Sequence, residues 1–314
     1  MKKIAVLTFC FRDLPNYFPI WLKAAGENKT IDFIVVTTDK TSYISPHNVK
    51  IINKTFDEII AKAQAKLGFK LNITDPYKLC DLRPAFGYLF SEWFKGYDFW
   101  GGCDLDIVLG DIRKFITESI LEKNDKILTR DHFHLYRNTK EVNERFMLPV
   151  YGKKEFYKRV FTDDKLYCFG ERKPWGMFKI YQDYGFTMYD EPIVADIQYK
   201  NFNFIVNSEI GERYYPQIFA WEDGQLYRYK LSEIGLEKDE FMYIHLQKRP
   251  MNMKNKESNN FIIVPNEFSD FETITPQLVN KYGKKHIFYG NRIKQIIERI
   301  KNPFRNNFYM EKEM

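Results

Sequence analysis

Apolar and polar positions in the first 70 residues divide into two kinds of segment. Continuous apolar runs of strand length occupy residues 3–9, 31–37 and 49–52, which is typical of strands buried on both faces of a parallel sheet. Residues 17–25 and 56–67 instead place apolar side chains at helical spacing. Strand–helix alternation with short connections predicts an α/β fold with a parallel sheet and right-handed crossovers.

The pattern after residue 70 predicts shorter and more varied elements. Arg83-Pro84 resembles the entry of a helix, because proline is tolerated in a first turn. Asp223-Gly224 separates two strand-like runs and is a strong hairpin signal. The other expected elements are a helix over 83–94, a strand from 97 through 106, a helix over 112–121, a strand over 126–129 with a polar end at 130–138, helices within 139–185, strand-like segments over 192–205, a strand over 241–249, a polar linker over 251–260 and a last strand over 261–264.

Residues 97–111 carry the most informative chemistry. An aromatic, apolar run ends in Asp104 and Asp106, which flank the apolar Leu105. If the strand continues through Asp106, alternation puts both carboxylates on one face. Close like charges resist ionisation unless a cation lies between them, and Mg²⁺ or Mn²⁺ with oxygen ligands relieves this repulsion. The stretch therefore predicts a metal site at which a diphosphate is a further ligand.

Two acidic pairs also have a purely structural interpretation. Asp104 and Asp106 are alternatively turn caps at a strand end, because a bare Asp-x-Asp is common by chance. Glu222 and Asp223 fall at the predicted hairpin and are better explained as turn residues than as a catalytic pair.

The ends of the first two strands form the expected nucleotide edge. Ligands of parallel α/β sheets bind beyond the carboxyl ends of the strands. Thr8 and Phe9 end the first strand, and Thr38 and Asp39 follow the second. These four residues are therefore candidates for nucleotide contacts.

Basic side chains provide candidates for phosphate contacts. Lys78 and Arg83 precede the aspartate-bearing strand, and Lys248 and Arg249 follow the apolar strand that begins at residue 241. Either pair can neutralise diphosphate charge. For Lys78 and Arg83 the alternative is a capped helix with a surface ion pair.

Histidines occur at two strand ends. His132 and His134 lie with Asp131 in a segment dense in hydrogen-bonding groups, which indicates a cleft lining as readily as a structural role. His245 follows apolar residues and is either a core residue or a metal ligand.

Composition narrows the class of protein. The net charge of +6 is too small to argue for nucleic acid, and we expect no nucleic-acid partner. The four cysteines are widely spaced without a Cys/His cluster, which argues against zinc and fits a reducing cytoplasm. We expect no signal peptide and, because there is no 18-residue apolar run, no membrane span.

The C-terminal end carries much of the positive charge. From residue 281 onward, lysines and arginines alternate with isoleucines and phenylalanines at helical spacing. This pattern predicts a basic amphipathic helix that either lies on an anionic membrane surface or docks on the core through its isoleucine face.

Three blocks together resemble a known class of enzyme. They are residues 78–84 (KLCDLRP), residues 100–106 (WGGCDLD) with Gly110-Asp111, and residues 243–249 (YIHLQKR). With the strand–helix start, they resemble GT-A-type nucleotide-sugar glycosyltransferases with a DxD motif. More narrowly, they resemble a bacterial glycosyltransferase family from surface-polysaccharide (capsule, O-antigen or lipooligosaccharide) gene clusters. The resemblance spans roughly residues 1–250 and does not cover the tail.

This resemblance implies a fold, a donor and a metal. The fold would be GT-A: a mixed, mostly parallel central sheet flanked by helices, with a basic helical tail. The enzyme, a hexosyltransferase, would use a UDP-sugar with Mn²⁺ or Mg²⁺. Asp104 would face the ribose and the ion, Asp106 would bind the ion, and His245 would be the third ligand. A glycan or lipid-linked oligosaccharide would be the acceptor, on the inner face of the plasma membrane.

The resemblance also organises the chain. Residues 1–270 would form the catalytic domain, with a nucleotide-binding half over 1–111 and an acceptor-side half over 112–270, followed by the extension 271–314. An inverting enzyme also needs a carboxylate base for the acceptor hydroxyl, and a retaining one need not have it. The candidates for that base are Glu171, Asp223 and Asp131.

Two other functions remain open on sequence grounds. A nucleotidyltransferase can use the same carboxylate pair, although residues 11–15 do not resemble its glycine-rich basic loop. A non-catalytic carbohydrate- or membrane-binding protein with aromatic clefts would bind glycans without a metal.

Overall fold

The computed structural model describes residues 1–191, 193–197, 203–210, 212–247, 250–255 and 259–284. Within them the strands are β1 Ile4–Cys10, β2 Ile31–Thr37, β3 Val49–Asn53, β4 Phe99–Cys103, β5 Ile107–Leu109, β6 Lys126–Ile127, β7 Phe133–Arg137, β8 Met188–Tyr189, β9 Val194–Ile197, β10 Phe204–Val206, β11 Gln217–Glu222, β12 Gln225–Ser232, β13 Gly235–Phe241, β14 Tyr243–His245, β15 Asn252–Met253, β16 Phe261–Val264 and β17 Glu267–Asp270. The α-helices are α1 Phe18–Glu27, α2 Phe56–Leu67, α3 Phe86–Leu89, α4 Ile112–Phe115, α5 Glu118–Lys123, α6 Lys140–Glu144, α7 Phe156–Thr162, α8 Met177–Asp183 and α9 Pro276–Tyr282.

The largest sheet confirms the predicted mixed, mostly parallel α/β architecture. Its seven strands run in the order β3-β2-β1-β4-β7-β6-β8. The pairings β3–β2, β2–β1, β1–β4 and β6–β8 are parallel, and β7 is antiparallel to both its neighbours. β1 and β2 are buried almost throughout, which explains why both are continuous apolar runs.

Helix α2 shows how local sequence sets an element. Thr55 accepts a hydrogen bond from the Glu58 backbone N–H, and the Glu58 side chain accepts one from the Thr55 N–H, which together form a capping box. Gly68 ends the helix with φ 76°, a conformation that glycine adopts without steric cost.

The aspartate-bearing strand is shorter than predicted. β4 ends at Cys103, so the expectation that it continues through Asp106 is wrong. Residues 104–106 turn the chain away, and β5 then joins a second, four-stranded sheet of order β10-β9-β14-β5. In that sheet β14 pairs antiparallel with β5 and parallel with β9, so His245 lies opposite Ile107 on one side and Asp196 on the other.

The third sheet has six strands in the order β13-β12-β11-β16-β17-β15. The predicted hairpin is confirmed, because Asp223 (φ 49°) and Gly224 (φ 89°) form the turn between β11 and β12. The expectation that residues 261–264 are the last strand is wrong, since β17 follows and pairs with them. The expected linker over 251–260 contains the short strand β15.

Several other predicted elements are more broken than expected. The helix over 83–94 is instead a 3-10 helix, Pro76–Ala85, followed by α3 and a second 3-10 helix, Ser91–Phe94. The helix over 112–121 is two helices, because Thr117 caps a new start at α5. The polar segment 130–138 is mostly β7, with His134 and Tyr136 buried.

One large apolar core joins the first and third sheets, from Ile4 to Phe268. Among the described residues, no helix has the length and apolar character that crossing a bilayer requires. The predicted amphipathic tail falls on residues that lie, from 285 onward, outside the described part of the chain.

Candidate metal centre and cleft

A cleft of about 750 Å³ lies at the carboxyl ends of β1 and β4. Residues 7–10 and 103–106 line it where these strands end, and residues from the 3-10 helix Pro76–Ala85 form another wall. This is where a parallel α/β sheet binds its ligands, because the strand ends and the loops after them leave a crevice.

Asp104, Asp106 and His245 converge in this cleft. One ligand atom from each lies within 4.8 Å of the others. Backbone bonds hold the three in place: the Asp104 N–H donates to the His132 carbonyl oxygen at 2.9 Å, and the Leu246 N–H donates to the Asp106 carbonyl oxygen at 2.7 Å. The pairing of β5 with β14 therefore unites residues that are 139 positions apart in the chain.

These residues suit a divalent cation. His245 Nε2 lies 3.2 Å from Oδ2 of Asp106 and forms an ion pair with it. An imidazole nitrogen beside two carboxylates is a set of ligand atoms that a divalent cation takes. Two carboxylates and one imidazole match Mn²⁺ better than Mg²⁺, which prefers an all-oxygen shell.

The charges around His245 favour its protonated form. Burial alone would lower the pKa of His245, but the negative charges of Asp106 and Asp196 outweigh it and raise that pKa to about 10. A cation at Nε2 therefore replaces a proton there.

Asp196 and His132 complete the surroundings of His245. Asp196 Oδ1 lies 2.7 Å from His245 Nδ1, and the His132 ring stacks on the His245 ring with centroids 3.7 Å apart. Burial, followed by the charge of His245, lowers the pKa of His132 to about 4. His132, Asp196 and His245 form a second group of the kind that can hold a metal ion.

Sequence reasoning missed Asp196. It lies in the buried strand β9, where a charged residue among Val194, Ala195 and Ile197 is unusual. A single aspartate in an apolar run indicates a functional or paired residue, because a buried carboxylate needs a partner.

Arg83 contacts Asp104, a candidate metal ligand, and the backbone of Asp131, a candidate base. Its guanidinium forms an ion pair with Asp104 and donates to the Asp131 carbonyl oxygen at 2.6 Å. Burial alone would lower the pKa of Arg83, but Asp104 and Asp131 outweigh it and raise the pKa. Arg83 is thus a permanent positive charge beside the candidate metal ligands.

Asp131 and Glu171, two of the three candidate bases, both line this cleft. Burial raises the pKa of Asp131 to about 7 against the opposing charge of Arg83, and burial also raises the pKa of Glu171. Oδ2 of Asp131 is buried and has no hydrogen-bond partner among the described residues. A carboxyl group with a pKa near 7 has the proton affinity that a general base requires.

The third candidate base, Asp223, lies elsewhere. It occupies the β11–β12 turn, where its backbone N–H donates to Asn260 Oδ1 at 2.9 Å, and it is not among the residues that line the cleft. Turn geometry explains why an aspartate occupies this position, because aspartate tolerates a positive φ. The expectation that Asp223 is the base is therefore wrong, because its place in the fold is this turn and not the cleft.

Lys78 does not reach the cleft either. Its side chain is fully buried, with Nζ 3.0 Å from Asp81 Oδ2 and 3.1 Å from the Val160 carbonyl oxygen. Asp81 also accepts hydrogen bonds from the Tyr167 and Phe169 backbone N–H groups. Lys78 is therefore a structural cation, and the expectation that it contacts phosphate is wrong.

The remaining nucleotide candidates divide into three groups. Thr8 and Phe9 line the cleft, and Thr8 Oγ1 donates to the Cys103 carbonyl oxygen at 2.6 Å. Thr38 and Asp39 do not line it; Asp39 instead accepts hydrogen bonds from the Thr41 N–H and the Tyr43 hydroxyl. Lys248-Arg249 lies outside the described residues.

Comparison with known proteins places the chain in a family. No curated protein sequence matches it. A model described as "Family of unknown function (DUF6625)" matches residues 6–272, which include the whole cleft and its three candidate metal ligands. By that match over most of its length, the chain belongs to the DUF6625 family.

Proposed function

We propose that this protein is a metal-dependent glycosyltransferase with a GT-A arrangement. It transfers a sugar from a nucleotide-sugar, a UDP-sugar by the resemblance of its three sequence blocks, to a glycan acceptor of bacterial surface polysaccharide. The observation that carries the proposal is the convergence of Asp104, Asp106 and His245 on a cleft at the ends of parallel strands.

The donor set supports Mn²⁺ as the ion, with Mg²⁺ as a weaker substitute. Asp104, Asp106 and His245 would hold it and leave further positions for diphosphate oxygens. When bound, the ion supplies a Lewis acid that takes up charge developing on the leaving diphosphate.

The chain's own residues would provide the rest of the chemistry. Arg83 is positioned to attract the diphosphate and to stabilise the charge that develops as the sugar departs. Asp131 and Glu171 lie on the same cleft and are the candidates to accept the acceptor's hydroxyl proton. A role for either as base would make the transfer inverting.

The acceptor and location belong to the same proposal. A glycan or lipid-linked oligosaccharide as acceptor suits a protein held peripherally at the cytoplasmic face of the plasma membrane. The support is the basic, amphipathic sequence of the C-terminal end, which suits an anionic lipid surface.

Thermal melting with UDP-, GDP- and CMP-sugars, nucleoside triphosphates and glycans, each with Mn²⁺ and with EDTA, tests the proposal. A ligand that binds only the folded state raises Tm, by an amount that follows its concentration relative to Kd. We expect a shift with a UDP-sugar that requires the ion. A shift with nucleoside triphosphates alone would support nucleotidyl transfer, and glycan binding that is indifferent to EDTA would support a carbohydrate-binding protein.

A further inference from the structure

Asp196 is the closest polar partner of the candidate metal ligand His245. The two residues are register partners on the parallel strands β9 and β14, so their side chains leave the sheet on the same face. Both are buried, at 7% and 5% exposure. Oδ1 of Asp196 lies 2.7 Å from Nδ1 of His245, a short distance typical of charge-assisted hydrogen bonds.

This contact fixes which nitrogen of His245 carries a proton. An ionised carboxylate only accepts hydrogen bonds, so Nδ1 of His245 must donate. In the neutral imidazole the lone pair then lies on Nε2, the nitrogen on the side of Asp106. A ring rotated about its bonds, or protonated on the other nitrogen, would present no lone pair to a cation between Asp104 and Asp106.

The carboxylate of Asp196 is itself held in place. Gln247 Nε2 donates to the same Oδ1 at 2.9 Å. The His132 ring packs on the face of the His245 imidazole at 3.7 Å and limits its rotation. Asp196, Gln247 and His132 thus constrain His245 from its edge and from one face.

We propose that Asp196 is a positioning residue that orients His245 as a metal ligand through the Nδ1–H···Oδ1 hydrogen bond. This inference rests on the proposed function in taking Mn²⁺ as the ion and Asp104, Asp106 and His245 as its ligands. Metal-ligating histidines commonly donate their second nitrogen to a carboxylate, and losing that partner typically weakens metal binding by about 10- to 100-fold.

The test is the affinity of the full-length protein for Mn²⁺ alone, measured by titration calorimetry and by electron paramagnetic resonance of free Mn²⁺. Asp196→Leu keeps the branched shape of the side chain but has no hydrogen-bond acceptor, and should weaken binding by about 10- to 100-fold. Asp196→Asn retains an acceptor oxygen and should recover most of that loss. Unchanged affinity in Asp196→Leu would overturn the proposal, even if its Tm were altered.

His132→Phe distinguishes the two candidate groups of metal ligands, because it keeps a stacked ring and removes a nitrogen ligand. If the ion lies between Asp104, Asp106 and His245, this variant should lose less Mn²⁺ affinity than Asp196→Leu. If His132→Phe lost as much affinity as Asp196→Leu, the ion would lie in the group His132, Asp196 and His245, and Asp196 would be a ligand itself.

The same titrations separate this inference from the proposed function. Mn²⁺ binding that depends on Asp196, without any nucleotide-sugar binding, would support the positioning role and contradict the transferase. If Asp196→Leu bound both Mn²⁺ and a UDP-sugar as tightly as the wild type, the result would support the transferase and contradict the positioning role. A wild-type protein that binds no Mn²⁺ would overturn both.

Discussion

At the scale of single residues, the cleft brings three carboxylates close together. Buried negative charges at that density require positive charge nearby. Asp104, Asp106 and Asp196 surround His245, and Arg83 pairs with the first of them. The protonated His245 and Arg83 supply positive charge that balances these carboxylates. A divalent ion at this point would replace the His245 proton and add to that balance.

Asp106→Asn tests the metal centre directly. The change removes a charged ligand but keeps the side-chain shape, so the fold should persist while Mn²⁺ binding weakens by at least about 100-fold, the upper range for loss of a supporting residue. Transfer to an acceptor should be abolished. Calorimetry and a radiolabelled sugar-transfer assay measure the two effects.

Asp223→Asn is the matched control for this change, because the same substitution falls on the hairpin turn outside the cleft, where asparagine tolerates the positive φ. It should leave Mn²⁺ affinity and transfer unchanged. Full transfer activity in Asp106→Asn would remove Asp106 from the site.

The affinity for Mn²⁺ should depend on pH through His245. Because the pKa of His245 is about 10, Nε2 carries a proton at neutral pH, and the cation must displace it. Affinity should therefore rise about tenfold per pH unit between pH 6 and 9 and level off above pH 10.

Calorimetry in two buffers of different ionisation enthalpy counts the protons released. At pH 7 we expect about one proton per ion bound. His245→Ala should bind more weakly and lose the pH slope. An affinity that does not change between pH 6 and 9 would rule out Nε2 as a ligand.

At the scale of secondary-structure elements, the sequence was most informative where a pattern is local. The apolar runs of β1 and β2 and the helical spacing over 56–67 specify their elements within about a dozen residues, and these predictions are confirmed. β7 was missed because His134 and Tyr136 are polar yet buried, so burial could not be inferred from residue type.

Strand β4 shows why the site was only partly predictable. Alternation predicted that Asp104 and Asp106 share a face because the strand was expected to continue, but β4 ends at Cys103. The two carboxylates come together for a different reason: β5 pairs with β14, a contact across more than 130 residues. Periodicity cannot reveal a pairing of that range, and for the same reason Asp196 was not found.

Gly101 in β4 permits the close approach of β7. A Cβ atom there would lie 2.1 Å from the His134 carbonyl oxygen and 2.6 Å from Leu135 Cδ2. Because the backbone oxygen cannot rotate away, Gly101→Ala should force the strands apart and lower the free energy of unfolding by about 1–3 kcal/mol, as overpacking does. Urea denaturation measures the change.

Ser91→Ala, at an exposed position, is the control for Gly101→Ala and should change stability by less than about 0.5 kcal/mol. Equal stability of Gly101→Ala and the wild type would mean that β4 and β7 have room for a side chain between them.

At the scale of the whole molecule, the excess of basic residues and the large apolar core belong to different parts of the sequence. The large core extends to Phe268 and the family match to residue 272, whereas residues 284–314 hold eight lysines and arginines against three glutamates. Nearly all of the net charge of +6 thus belongs to the C-terminal end. Such a division suits a catalytic body and a separate electrostatic anchor, since each basic residue near an anionic surface contributes about 1 kcal/mol.

Deleting residues 284–314 tests that division. The truncated protein should no longer sediment with vesicles that contain phosphatidylglycerol, because both the basic and the apolar side chains of the segment are lost. Its Mn²⁺-dependent Tm shift with a nucleotide-sugar should persist, because the cleft residues precede the deletion. Raising the salt concentration should release the full-length protein in the same way, since salt screens surface charge. Undiminished vesicle binding after the deletion would assign the membrane contact to the core instead, and loss of the Tm shift would mean that the C-terminal end supports the cleft itself.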